Sequence, residues 1–243
     1  MNDFSSSSKI MSAQPEKTRR NSCCPKLISF SGIDGAGKST QIDALCAAMR
    51  AAGMRVRVVR FWDEVAKLVR FRQAASVGIF KGDAGVGAPG APAMRRDKNV
   101  TSWFMTCIRL CLYTIDALSL RAAVAEATRS NYDLVVFDRY IYDELANLNL
   151  KNPAVRVYVR AILAFAPRPH ISYLLDADPV EARARKPEYP IEFLHVNRKT
   201  YLDLSCLIGG VNVIPPMPVE EVKREIGKCG AVLFSGKDRE YVA

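Results

Sequence analysis

The sequence predicts an α/β fold of three layers, in which a mainly parallel five-stranded sheet is flanked by helices. Short apolar runs of strand length alternate with longer segments in which apolar residues recur at helical spacing. A glycine-rich turn joins the first apolar run to the first helical segment. Strand, turn, helix and strand in this order form a βαβ unit, which implies parallel pairing and a right-handed crossover.

The first βαβ unit shows each of these signals. The run "LISFSG" begins at Leu27 and is apolar up to its glycine, as in a buried parallel strand. A helix should begin at about Lys38, because apolar residues recur at helical spacing as far as Ala52, and Gly53 is placed to end it. The stretch "MRVRVVRFW" then alternates apolar and basic residues and predicts the second strand.

The remaining elements continue the alternation. Apolar residues between Thr101 and Thr128 recur at helical spacing and predict one long helix or two. "YDLVVFDRY" predicts the third strand, a helical stretch covers about 140–165, and "HISYLLDAD" predicts the fourth strand. A helix over roughly 192–206, the fifth strand "VNVIPP" and the helix "VEEVKREIGKC" complete the order.

A short helix after the fourth strand has its own start and stop signals. Asp178, Pro179 and Glu181 stand at its N-cap, N1 and N3 positions, and proline is favoured at N1. Pro187 and Pro190 should end it, because proline does not continue a helix.

The length and local composition predict one domain with two irregular segments. A chain of 243 residues can bury one sizeable core, and we place the domain at residues 26–243. Residues 1–25 hold few apolar side chains and should form a disordered tail. Residues 77–98 include "VGIFKGDAGVGAPGAPAM", whose glycine, alanine and proline content predicts a mobile loop.

Charge and cysteine usage limit the partners and the compartment. The formal net charge of +10 favours anionic partners such as nucleotides, nucleic acid or acidic membrane surfaces. The sequence has no apolar run long enough to span a membrane. Seven cysteines form no CxxC pair, and His170 and His195 lack metal-ligand spacing. We therefore expect reduced thiols in a cytoplasmic protein and no zinc site.

The segment "GIDGAGKST", residues 32–40, meets the pattern G-x-x-x-x-G-K-[ST] between a predicted strand and a predicted helix. Glycines let the backbone approach phosphate oxygens, and N–H groups at the helix N-terminus form an anion cradle. Lys38 can bridge terminal phosphates, and the Ser39 hydroxyl can ligate Mg²⁺. The sequence therefore predicts a P-loop fold whose nucleotide contacts are Gly32, Asp34, Gly35, Ala36, Gly37, Lys38, Ser39 and Thr40.

Two acidic positions narrow the class of P-loop protein. Asp34 is unfavourable beside phosphate unless it points away, either toward a sugar hydroxyl in the neighbouring cleft or onto its own turn. The third strand closes with Asp138–Arg139, whereas motor-type ATPases usually close it with Asp-Glu, and the Asn-Lys-x-Asp segment of switch GTPases is absent from the sequence. Because arginine neutralises charge and does not activate water, an anionic phosphoryl acceptor is favoured.

Three stretches together carry a resemblance to a known family. They are "SGIDGAGKSTQ" (31–41), "DRY" (138–140) and "EFLHVNRKTYLDL" (192–204), the last of the form Glu-Phe-x-x-x-x-Arg-x-x-Tyr-Leu-x-Leu. They resemble the phosphate loop, the Asp-Arg-[Tyr/His] triplet and a late helix of the thymidylate kinases, a branch of the nucleoside monophosphate kinases. The order of strands also agrees from about residue 27 to the end.

The resemblance implies transfer of the γ-phosphoryl group of ATP to dTMP in the presence of Mg²⁺. Lys38 and Ser39 would hold the ATP phosphates and the metal, which Asp138 would help to organise. Arg139 would reach the acceptor phosphate, and Asp34 would accept a hydrogen bond from the 3′-hydroxyl of the acceptor. Members of this family are commonly dimers, and the apolar segment 101–118 is a candidate partner face.

The resemblance also implies a lid over ATP at about residues 178–191. Family members place a basic residue either in the phosphate loop or in the lid, and Ala36 leaves this task to the lid. Arg183 is the first candidate and Arg185 the second. In "RFWDE", residues 60–64, Arg60 and Phe61 are candidates for contact with the acceptor.

The sequence departs from the family pattern mainly on the acceptor side. Asp143 and Glu144 stand where hydroxyl side chains are expected, and Asn147 stands where tyrosine is expected. The segment "YTIDALSL" has no arginine near Asp116 to contact thymine. Two alternatives therefore stay open, a different monophosphate or small-molecule acceptor and a non-catalytic nucleotide-binding regulator. We expect small nucleotides as ligands and neither a membrane nor a nucleic acid as partner, except that the regulator alternative would use the basic surface to engage nucleic acid or another partner.

Overall fold

One sheet of five parallel strands organises residues 24–66 and 103–234, the part of the chain that our computed structural model describes. The strands are β1 (Lys26–Ser31), β2 (Val56–Arg60), β3 (Leu134–Asp138), β4 (Ile171–Leu175) and β5 (Val211–Ile214). The helices are α1 (Lys38–Ala51), α2 (Trp103–Arg129), α3 (Ile141–Leu145), α4 (Pro153–Phe165), α5 (Pro179–Arg185), α6 (Ile191–Ile208) and α7 (Val219–Phe234). A single π-helical turn, Phe61–Val65, follows β2.

The strand order β2-β3-β1-β4-β5 puts β1 at the centre of the sheet. In the parallel register Phe30 of β1 lies beside Asp138 of β3, and Ser31 lies beside Leu174 of β4. The segments that leave the carboxyl ends of β1, β3 and β4 therefore emerge next to one another. In open α/β sheets this edge is where ligands bind.

The sheet is covered on both faces. All four residues from Leu134 to Phe137 are completely buried, and successive residues point to opposite sides of the sheet. Leu134 and Val136 belong to a cluster that includes Ile42 of α1 and Ile226 of α7. Val135 and Phe137 belong to a larger cluster that α2, α3, α4 and α6 supply. This arrangement confirms the predicted three-layer α/β fold.

Local capping chemistry explains where several helices begin and end. The Asp178 carboxylate accepts hydrogen bonds from the N–H groups of Val180 and Glu181 at the predicted start of α5. Gly53 has a left-handed φ of 79° and donates its N–H to Arg50 O after α1. These two predicted helix boundaries are confirmed.

The predicted helical stretch 140–165 is wrong in one respect, because it consists of two helices. The chain leaves the helical conformation after Leu145 and restarts at Pro153. Asn152 caps the restart, since its side chain accepts a hydrogen bond from Ala154 N at 2.9 Å and proline occupies the first helical position. By contrast, the segment that could have been one helix or two is the continuous helix α2.

Several sequence expectations fall on other parts of the chain. The predicted mobile loop, and all but the last two residues of the predicted tail, lie outside the described residues. Within the described residues, every helix is too short or too polar to cross a bilayer.

Candidate active site

The phosphate loop runs from the end of β1 into the first turn of α1. Gly35 and Gly37 adopt left-handed φ angles of 85° and 84°, which glycine tolerates without steric cost. Gly37 is the N-cap of α1 and provides no side-chain cap, and the first turn of α1 holds no acidic residue. The N–H groups of this turn therefore suit an anion.

Two glycines of the loop are required by close backbone contacts. A Cβ atom on Gly32 would lie 2.4 Å from Leu175 O at the end of β4. A Cβ atom on Gly35 would lie 2.2 Å from Ala182 O, in the middle of α5. The loop thus sits directly against β4 and against the helix that the sequence assigned to a lid.

Lys38 folds back over its own loop. Its side chain is buried, and Nζ donates to Gly32 O at 2.8 Å and to Ile33 O at 2.9 Å. Burial and, after it, the positive charge of Arg139 lower the pKa of Lys38 to about 8, although the nearby carboxylates oppose this shift. The ammonium group is therefore held among carbonyl oxygens where phosphate oxygens would replace them.

Arg139 leaves β3 with an unusual backbone conformation. Its φ is 69°, in the left-handed region, and its N–H donates to Phe30 O at 3.0 Å. Its guanidinium forms an ion pair with Asp34 of the phosphate loop and a longer contact, 3.5 Å, with Asp143 Oδ1. Although burial opposes the charge, these two carboxylates raise the pKa of Arg139 above its usual range. The charge of Asp34 thus acts on both Arg139 and Lys38.

Asp143 connects three elements beneath Arg139. Its carboxylate accepts hydrogen bonds from Ser31 Oγ at 2.7 Å, from Tyr140 N at 3.0 Å and from Tyr201 Oη at 2.7 Å. Burial, together with the charge of Asp143, raises the pKa of Tyr201 well above its usual value, so this hydroxyl stays a donor. Sequence reasoning noted Asp143 as a departure and assigned it no role.

The segment that the sequence assigned to a lid brings a cation to the site that sequence reasoning missed. Lys186 directly follows α5, and its Nζ lies 3.9 Å from Asp34 Oδ1 and 3.2 Å from Glu188 Oε1. Arg185 instead turns back onto its own helix, with Nη2 3.5 Å from Glu181 Oε2. Arg183 is partly exposed on the same helix. The signal available in the sequence was the third basic residue of "RARK".

The remaining residues that the sequence predicts to contact ATP or Mg²⁺ lie in the phosphate loop, at the start of α1 and at the end of β3. Asp138 ends β3, and its charge acts on Lys38, while Ser39 and Thr40 are exposed in the first turn of α1. Ala36 is partly buried and packs against the hydrophobic core. These residues lie at or next to the carboxyl edge of the sheet, and their contacts with ATP and Mg²⁺ stay predictions.

The two candidates after β2 have different environments. Arg60 is exposed, and its backbone N–H donates to Glu64 Oε1 at 3.0 Å. Phe61 is 0% exposed and packs edge-on against Trp62 in the core. The Phe61 side chain is thus a core residue in this structure, and its contact with an acceptor stays a prediction.

Arg198, which carried part of the family resemblance, makes a bidentate ion pair across the same edge. Its Nε and Nη2 each lie 2.6 Å from a carboxylate oxygen of Asp176, just beyond β4. Bidentate pairs of this kind fix the relative orientation of the two groups. The pair ties α6 to the carboxyl edge of the sheet, which helps to place Tyr201 one turn later.

Comparison with known proteins agrees with this geometry. No family model matches the sequence. The chain is similar to a probable thymidylate kinase of Archaeoglobus fulgidus, with 27% identity over 210 residues, which cover 83% of this chain and 93% of that protein. It is also similar to the thymidylate kinase of Bifidobacterium longum, with 27% identity over 189 residues, 74% of this chain and 83% of that protein.

The thymidylate kinase of Xanthomonas oryzae pv. oryzae is 30% identical over 164 residues, 65% of this chain and 59% of that protein. All three similarities extend far beyond the phosphate loop. Over most of its length the chain is therefore similar to thymidylate kinases, at identities of 27–30%.

Proposed function

We propose that this protein transfers the γ-phosphoryl group of ATP to dTMP, giving ADP and dTDP. The observation that carries the proposal is that Lys38 and Arg139, from separate segments of the chain, come close enough for their charges to interact, with Asp34 acting on both. Two anions must meet in line for this reaction, and cations placed on both sides of the gap lower the electrostatic cost of bringing them together.

The ATP side of the site suits a triphosphate. The uncapped start of α1 and the left-handed glycines offer backbone N–H groups, and Lys38 Nζ already rests on carbonyl oxygens in the cradle. A Mg²⁺ ion would be held by the Ser39 hydroxyl, with Asp138 at the neighbouring strand end. When bound, Mg²⁺ would neutralise charge on the transferring phosphates.

On the acceptor side, Arg139 would bind the phosphate of the monophosphate, and Asp34 would accept a hydrogen bond from its 3′-hydroxyl. A phosphate oxygen of the acceptor then attacks the γ-phosphorus of ATP, and the bond between that phosphorus and the bridging oxygen to the β-phosphate breaks. No covalent enzyme intermediate is needed, because positioning and charge supply the catalysis. Lys186 would add a cation from the lid.

A second candidate is the same transfer to a different nucleoside monophosphate or to another small phosphate acceptor. It is favoured by the departures from the family pattern on α2 and α3, where no arginine lies near Asp116 and Glu144 stands at a position expected to carry a hydroxyl group. A polar pocket that matches one base can discriminate against others by ~10⁴ or more.

The test is ATP-dependent turnover with dTMP, dUMP, CMP, GMP and AMP, each compared with a reaction without acceptor. We expect dTMP to be the preferred acceptor and Lys38→Ala and Arg139→Ala to reduce turnover by on the order of 10³-fold with the fold intact. Arg55→Ala is the matched control, since Arg55 is an exposed arginine paired with Asp133 before β2. Its activity should equal that of the wild type.

Each outcome assigns the function differently. Turnover of another monophosphate without turnover of dTMP would select the second candidate. Tight ATP binding with no acceptor-dependent turnover would overturn both in favour of a nucleotide-binding regulator. Activity within about twofold of wild type in Lys38→Ala or Arg139→Ala would remove that residue from the mechanism.

A further inference from the structure

We infer that Asp143 is the positioning residue for Arg139. The Tyr201 hydroxyl holds the Asp143 carboxylate, which in turn keeps the guanidinium in place while Asp34 engages the acceptor. The inference rests on the proposed function for the role of Arg139 in binding acceptor phosphate. It assigns different tasks to the two carboxylates that contact Arg139. Asp34 is an exchangeable partner, and Asp143 is a permanent one.

The backbone provides the first argument. Arg139 keeps a left-handed φ of 69°, a conformation that non-glycine residues rarely adopt without local support. The next N–H group, that of Tyr140, donates to Asp143 Oδ2 at 3.0 Å, while the Asp143 N–H donates to Tyr140 O. This reciprocal pair closes the turn after Arg139 and fixes the direction in which its side chain leaves the strand.

The second argument is the saturation of the Asp143 carboxylate. Oδ2 also accepts from Ser31 Oγ, and Oδ1 accepts from Tyr201 Oη at 2.7 Å besides its contact with Arg139. The side chain is 1% exposed, so a substrate cannot reach it without breaking these bonds. These hydrogen bonds tie the Asp143 carboxylate to β1, to the turn after β3 and to α6, and so fix its position independently of a substrate.

Asp34 differs from Asp143 in its exposure and in its neighbours. Its side chain is 12% exposed, it belongs to the phosphate loop, and Lys186 of the lid region lies 3.9 Å away on its outer side. A hydroxyl group of the acceptor can approach this carboxylate from the cleft. When Asp34 turns toward that hydroxyl, Asp143 and its Tyr201 hydrogen bond leave Arg139 pointing at the acceptor phosphate.

The test compares Asp143→Asn and Tyr201→Phe with Tyr158→Phe as a matched control. Tyr158 is a partly buried tyrosine whose hydroxyl donates to Leu110 O, away from Arg139. We expect Asp143→Asn to raise the acceptor KM about tenfold and Tyr201→Phe about threefold, with the ATP KM unchanged in both. Tyr158→Phe should lower thermal stability by a similar amount to Tyr201→Phe and leave both KM values unchanged.

A second readout needs no turnover. The guanidinium N–H signals of Arg139, assigned by their loss in Arg139→Lys, should broaden or shift in Asp143→Asn and Tyr201→Phe without any ligand, and stay unchanged in Tyr158→Phe. If the wild type turns over no monophosphate, the proposed function fails and the Arg139 signals alone decide the positioning role. Unchanged Arg139 signals, or equal effects of Tyr201→Phe and Tyr158→Phe on acceptor KM, would overturn the inference.

Discussion

Lys38 combines deep burial with a place inside a phosphate cradle. Because burial and the charge of Arg139 lower its pKa to about 8, part of the Lys38 population is neutral at pH 8, and most is neutral at pH 9. The negative phosphate oxygens of a bound nucleotide would stabilise the protonated form of Lys38 over the neutral form. Nucleotide binding should therefore raise the pKa of Lys38 and draw in a proton wherever the free protein has lost it.

This linkage gives a pH-dependent prediction. Binding of MgATP should take up about 0.9 proton at pH 9 but about 0.1 at pH 7, the fractions that a pKa near 8 leaves deprotonated. Titration calorimetry in buffers of different ionisation enthalpy measures the uptake. Lys38→Arg is the control, because a guanidinium stays charged at both pH values. Equal uptake at pH 9 in wild type and Lys38→Arg would assign the proton to another group.

Sequence reasoning found the site residues that belong to short motifs and missed those defined by distant contacts. Lys38 and Arg139 lie in segments whose chemistry is local. The partners of Asp143 are Ser31 and Tyr201, 112 and 58 residues away along the chain. No local pattern specifies such pairs, because the parallel sheet and the packing of α6 create them.

At the scale of elements, α5 shows why a lid cation is hard to choose from sequence. Its start was predictable, because Asp178 and Pro179 act on their own helix. The directions of its basic side chains depend on where it ends and on neighbours. Arg185 contacts Glu181 one turn earlier, whereas Lys186, just past the end of α5, approaches Asp34.

We therefore expect Lys186→Ala to reduce kcat by on the order of 10²-fold, a typical loss when one stabilising group is removed from a transition state. Arg185→Ala should change kcat by less than about threefold, since its guanidinium is exposed and bound to its own helix. Single-turnover measurements with saturating ATP and acceptor separate chemistry from product release. A large loss in Arg183→Ala with none in Lys186→Ala would return the role to the arginine that the sequence favoured.

At the scale of the whole molecule, the site exists only when the sheet is assembled. Asp34 follows β1, Arg139 follows β3, and Lys186 follows β4 and α5. The alternation of apolar runs made this parallel order predictable, whereas the split between α3 and α4 was missed because the apolar residues on both sides keep helical spacing. Since ligands bind the assembled edge and not the unfolded chain, binding must stabilise the entire fold.

This coupling predicts that ligands and core substitutions change the thermal stability independently. At a ligand concentration of 100 times Kd, ADP should raise the free energy of unfolding by about 2.7 kcal/mol, or Tm by roughly 5–10 °C. Adding dTMP should raise Tm again. Ile162→Val removes one methylene from the buried face of α4 and should lower stability by about 1 kcal/mol while keeping both ligand-induced increments.

Arg139→Ala, unlike Ile162→Val, should change the response to one of the two ligands, as measured by Tm in scanning calorimetry. It should keep the ADP increment, because Lys38 and the loop N–H groups stay in place, and lose the dTMP increment, because the acceptor phosphate loses its cation. Loss of the ADP-induced increase in Tm in Arg139→Ala would mean that ADP binding at the phosphate loop depends on the segment after β3. A dTMP increment as large as that of wild type would place the acceptor phosphate on another residue.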